Sequence, residues 1–126
     1  MPDLTDIEDL PQLPDRRQRM EALLVDCYGR AEELSAFEVY FSDALRPPFA
    51  AVWRDPDEPG HEEAVTVVGL ARVDDRRGVL LTVRRSGKKA RSTLAEQVWA
   101  TDPRSANATV LDDYREWVER GGLSFE

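Results

Sequence analysis

The segment Asp26-Cys-Tyr-Gly-Arg-Ala-Glu32-Glu33 places three carboxylates around a glycine, and Asp43 follows further along the chain. Carboxylate oxygens are hard donors, and a hard cation such as Ca²⁺ takes about six to eight oxygens at about 2.3–2.6 Å. A reversal at Gly29 would bring Asp26 toward Glu32 and Glu33, with the main-chain oxygens of Tyr28, Gly29 and Arg30 beside them. Asp43 cannot join the same ion. On a helix starting near Glu32 the two acids face nearly the same way, but they stand about 16 Å apart along the axis at about 1.5 Å per residue. Asp43 would need other partners: Asp57, Glu58, Glu62 and Glu63 in a later loop, or Asp112 and Asp113 near the end of the chain. Acids on exposed helix faces also serve solubility, and near a helix N-terminus they complement the dipole. On spacing alone both readings stand.

The remaining residues narrow the chemistry. One cysteine, Cys27, and one histidine, His61, are too few for a zinc site built from thiolates and imidazoles. The same scarcity disfavours a Cys–His nucleophile. The serines lack the context of a nucleophile elbow, so no catalysis is expected. Asp55, Asp57 and Gly60 match the first, third and sixth positions of an EF-hand loop. Pro59 and Thr66 fall at the fifth and twelfth, where ligands are required, so an EF-hand is excluded. The basic segment Arg84-Arg-Ser-Gly-Lys-Lys-Ala-Arg91 suits an acidic protein or RNA, or equally a charged strand edge that resists aggregation. It defines the alternative function, an interaction module that binds a protein or RNA through the β-structure and this hairpin.

Elements must hold these side chains. Asp15 reads as an N-cap, and Met20, Leu23, Leu24 and Cys27 recur at helical spacing, so a first helix is expected to run up to Gly29. A second is expected from about Ala31 to Leu45, with Leu34, Phe37, Phe41 and Ala44 facing inward, ended by Pro47-Pro48. Strands are expected at 49–54, 64–73, 79–85, 88–94 and 97–100, with a bend or bulge at Gly69. Thr109 and Asp112 stand at capping-box spacing before a last helix with Leu111, Tyr114, Trp117 and Val118 inward. The expected fold class is α+β: two N-terminal helices and a C-terminal helix packed on a small SH3-like antiparallel β-barrel.

At 126 residues, with 41% apolar and 33% charged residues, one compact domain is expected. Residues 1–13, acidic and interrupted by proline, read as a flexible arm, and 14–126 as a single domain. The net charge of −8 is uneven: residues 72–99 hold 8 bases against 3 acids. The overall field repels phosphate, so nucleic acid is a disfavoured partner. No apolar run approaches the roughly 18 residues of a membrane span. The acidic start is unlike a secretory signal and the lone cysteine cannot form an internal disulfide, so a cytoplasmic location is expected.

Val25-Asp-Cys-Tyr-Gly-Arg-Ala-Glu-Glu, then Phe37-x-x-Tyr-Phe-x-Asp43-x-Leu-x-x-Pro-Phe49, resembles the small acidic bacterial calcium-binding proteins of the CcbP type, first known from cyanobacteria. The likeness continues through Val65-Thr-Val-Val-Gly-Leu70, Leu94-x-x-Gln97 and Asp112-Asp-Tyr-x-x-Trp-Val-x-Arg-Gly121, over roughly residues 20–122. The resemblance implies a Ca²⁺ buffer or sensor without an EF-hand, with calcium as cofactor; a protein partner is a separate expectation that the resemblance does not identify. Carried over by position, Asp26, Glu32, Glu33 and Asp43 match the family's acidic pattern, with the Tyr28 main chain, Glu38, Asp112 and Asp113 as weaker candidates. Two positions depart from the pattern. Ser42 stands where the family usually has Glu, and Glu38 where it usually has an aromatic residue. Glu38 lies about 140° around the helix from Glu33, so it does not simply replace the missing acid, and the Asp43 end is the weaker one.

Overall fold

In the computed structural model, which describes residues 15–122, the chain opens on a helix capped by Asp15. The arm expected at 1–13 lies outside the described residues. The Asp15 carboxylate accepts the Gln18 N–H at 2.9 Å, and the Gln18 side chain accepts the Asp15 N–H at 3.3 Å, closing a capping box over α1 (Arg16–Leu24). The helix stops before Gly29, its expected end. Val25 to Gly29 form a turn instead, in which the Cys27 N–H donates to the Leu24 carbonyl at 3.1 Å. Gly29 caps the start of α2 (Arg30–Ala44) with φ 147° and ψ 174°, a conformation almost confined to glycine. The glycine read as the stop of one helix is the entrance to the next.

Five antiparallel strands follow: β1 (Phe49–Arg54), β2 (Glu62–Asp74), β3 (Gly78–Arg84), β4 (Arg91–Leu94) and β5 (Val98–Ala100), in the order β4-β3-β2-β1-β5. The β2–β3 register shifts between Val67 and Gly69, where a bulge was expected, and again between Leu70 and Arg72. Each extra residue bends β2 and raises its twist. A single 3-10 turn, Ala95–Gln97, carries the chain from β4 to β5. These two strands are the edges of the sheet, and no ladder joins them. The sheet is therefore not closed into the expected SH3-like barrel. What holds is the α+β class, with three helices and a five-stranded antiparallel sheet.

Helix α3 (Ala106–Glu119) starts earlier than the Thr109–Asp112 spacing suggested. Ser105 caps it, its hydroxyl accepting the Ala108 N–H at 3.1 Å. The reason lies in packing, because Asn107, Ala108 and Val110 are already buried. The core joins Val65, Val67, Val79, Leu81 and Val83 of the sheet to Leu34, Phe37 and Phe41 of α2 and to Leu111, Tyr114 and Trp117 of α3. Phe37 and Phe41 meet the Tyr114 ring edge-on, at centroid distances of 5.3 and 5.4 Å. One side of α2 is thereby pinned to the core. Of the acidic residues of α2, Glu32, Glu38 and Asp43 are exposed to solvent and Glu33 is half-buried. Among the described residues no helix is long and apolar enough to cross a membrane.

Candidate metal centre

Glu32 and Glu33 occupy the first turn of α2. Glu32 reaches back across the reversal, and its Oε1 accepts the Tyr28 N–H at 2.9 Å. Asp26 and Glu32 line one open groove of about 530 Å³, together with Leu23, Val25, Cys27 and Val39. Glu33 turns toward α3, where its Oε1 accepts the Trp117 indole N–H at 2.7 Å. That bond engages one of its two carboxylate oxygens and ties the turn to the core. The Cys27 thiol is pushed above its ordinary pKa, first by burial and then by the negative charge of Glu33, Glu32 and Asp26. Asp26 and Glu32 share the groove, Glu33 turns away to Trp117, and the three acids do not converge to a single tight cluster.

The other expected ligands lie elsewhere. Glu38 and Asp43 are exposed on α2. Near the end of that helix, the Asp43 main-chain carbonyl accepts a bond from Arg46 at 2.6 Å. Asp112 pairs with Arg115 at 2.6 Å. Asp113, offered by the sequence as a spare ligand, is fully buried and already satisfied. Arg19 donates to both its oxygens at 2.8 and 2.9 Å, Arg16 donates at 3.3 Å and the Tyr40 hydroxyl at 2.7 Å. The Tyr40 hydroxyl is held protonated, first by burial and then by its bond to Asp113. Asp113 is an internal counter-ion. Arg16 and Arg19 share one face of α1, and this was the only sequence signal for it.

One further set was missed. Among the described residues, Asp55, Glu58 and His61 bring ligand atoms within 4.8 Å of one another in the β1–β2 loop. The His61 ring also lies 3.2 Å from Glu63 through Nε2 and packs edge-on to Trp53. Its pKa is raised, first by the hydrogen bond to Glu63 and then by the charges of Glu58, Glu63 and Asp55. Glu63 in turn pairs with Arg85 at 3.2 Å and Arg91 at 4.0 Å, and Arg91 lies over the Trp53 ring. Two cations of the basic hairpin are therefore engaged within the molecule.

A family model for calcium binding, of the CcbP type, matches residues 17–118. The chain belongs to the CcbP calcium-binding family. No curated protein matches it. A solved calcium-binding protein in its calcium-binding form superposes with TM-score 0.71 at 23% identity, covering 84% of this chain and 90% of that one. Anabaena CcbP superposes with TM-score 0.69 at 22% identity, covering 94% and 98%. At such identities the likeness establishes the fold.

Within the CcbP frame the two donor sets can be weighed by chemistry. Calcium takes oxygen ligands. The loop set spends one of its three positions on an imidazole, whose ring also lies 3.2 Å from Glu63. The α1–α2 turn offers the carboxylates of Asp26 and Glu32, with no cation among the groove's lining residues.

Proposed function

We propose that this CcbP-family protein binds Ca²⁺ reversibly at the α1–α2 turn, through Asp26 and Glu32 with Glu33 beside them, as a buffer or sensor that performs no reaction. The reading rests on one observation: Asp26 and Glu32 bring their negative charge to the same groove, which has no cation among its lining residues. A bound ion would neutralise that charge and link the turn to the start of α2. Glu33 would couple it to Trp117 in the core. Asp43 stands apart, and Ser42 beside it supplies no carboxylate, so one site is assigned here. The unpaired Cys27 thiol suits a reducing cytoplasm.

Calorimetric titration of metal-free protein with CaCl₂ tests this, with MgCl₂ as control. Micromolar to millimolar dissociation constants, about −8 to −4 kcal/mol, are the expected range for partly exposed carboxylates. Magnesium, which gives up its water reluctantly, should bind more weakly. Asp26→Asn should weaken calcium at least tenfold, and Asp43→Asn should leave it within about twofold. No heat at millimolar calcium refutes the function, and unchanged affinity in Asp26→Asn moves the site elsewhere. The alternative, a protein- or RNA-binding module using the sheet and hairpin 84–91, draws less support because Arg85 and Arg91 are already paired with Glu63.

A further inference from the structure

Among the described residues three large apolar side chains are exposed: Val25 at 73%, Tyr28 at 88% and Val39 at 58%. All three lie on the α1–α2 turn or on α2. Val25 and Val39 line the same groove as Asp26 and Glu32, and Leu23, Cys27 and Ala36 extend its apolar part. The fold leaves Val25, Tyr28 and Val39 outside its own core, whereas Leu23 packs partly against it. The groove thus combines apolar contact area with two carboxylates and has no cation among its lining residues. Glu38 stands exposed next to Val39, and residues 1–43 together hold 11 acids against 4 bases.

An apolar groove with a carboxylate rim fits an amphipathic helix that brings apolar anchors at helical spacing and Lys or Arg beside them. Anionic lipid and nucleic acid are repelled by the same charge. The chain's own basic hairpin, Arg84 to Arg91, lacks large apolar anchors and does not match. We propose that the groove docks a basic amphipathic helix of a partner protein, and that Ca²⁺ and this helix compete for Asp26 and Glu32. The competition rests on the calcium reading above, whereas the docking itself does not. If both occupants need the same two carboxylates, calcium lowers affinity for the helix, and the helix lowers affinity for calcium by the same factor.

A fluorescein-labelled Leu/Lys peptide with leucines at helical spacing is the probe, and its Leu/Glu counterpart is the control. Anisotropy is read on the full chain, first in EGTA and then in CaCl₂. In EGTA the Leu/Lys peptide should bind at least tenfold more tightly than the Leu/Glu peptide. The double variant Val25→Ser/Val39→Ser should lose at least tenfold in peptide affinity while its circular dichroism stays unchanged. Calcium should raise the peptide dissociation constant at least fivefold. Equal binding of both peptides, or unchanged binding by the double variant, overturns the docking surface. So does a dimer of the chain that the two serines dissociate, because the groove then belongs to a second copy. Peptide binding that ignores calcium, in a protein whose calcium heat is measured, overturns the competition alone. Absence of calcium heat overturns the calcium reading and the competition with it, while the EGTA comparison still decides the docking.

Discussion

Asp113 shows how far a residue's type can mislead about its role. By sequence it is one of several acids near the end of the chain, free to serve a cation. In the fold it sits 0% exposed, and its nearest charges come from α1, 94 and 97 positions away in sequence. That pairing could not be read from the chain, because nothing local announces a contact of such separation. Removing one partner of a buried charge pair costs about 3–5 kcal/mol, and Arg16, with a side chain 44% exposed, contributes the smaller share. Asp113→Ala should therefore lower stability by roughly 3 kcal/mol, seen as a lower urea midpoint with the slope unchanged. His61 gives a second test at this scale, since it is the single histidine and its ring resonance is unambiguous in a proton NMR titration. Its folded pKa is raised by Glu63. Its contribution to stability is thus fully present below about pH 6.5, the unfolded value, and fades as pH rises through the folded value. Glu63→Gln should move the titration midpoint down. An unmoved midpoint would assign the shift to Glu58 and Asp55 instead.

At the scale of elements, most strands were legible because short aliphatic and β-branched runs stand between turn residues, and even the irregularity at Gly69 could be placed, although β4 starts at Arg91 and not at residue 88. Helix ends were not. Gly29 was correctly seen as a break but given to the wrong helix, because a glycine at positive φ can end one helix or admit the next. Closure of the sheet was also beyond reach, since it depends on whether two edge strands meet across the molecule. Gly29 carries its own prediction. An added Cβ would find nothing within 4 Å, so Gly29→Ala is opposed only by its φ of 147°. That strain is worth about 1–3 kcal/mol. The loss should appear in thermal unfolding, and weaker calcium binding should accompany it, because the residue sets the angle between Asp26 and Glu32. Tyr114 ties another pair of elements. Its hydroxyl accepts the buried Val79 N–H at 2.9 Å and so fixes α3 to β3. Tyr114→Phe would leave that donor without a partner, at a cost of about 1–3 kcal/mol. A much smaller change in the urea midpoint would mean that Val79 finds another acceptor.

For the molecule as a whole, the net charge of −8 supplies a competing explanation for any effect of calcium. A divalent ion can stabilise an acidic protein merely by screening self-repulsion, without occupying a site. The two cases separate on thermal unfolding. Specific binding stabilises by about 2.7 kcal/mol at a hundredfold excess over the dissociation constant. For a chain of this length that is on the order of 10 °C in melting temperature. General screening depends on ionic strength, so NaCl at matched ionic strength should reproduce it and Asp26→Asn should hardly change it. A site at the α1–α2 turn predicts the opposite pattern. Calcium raises the melting temperature, magnesium and matched NaCl raise it much less, and Asp26→Asn removes most of the calcium-specific part. If NaCl reproduces the whole shift, the carboxylates act through their sum and not through their arrangement at the turn.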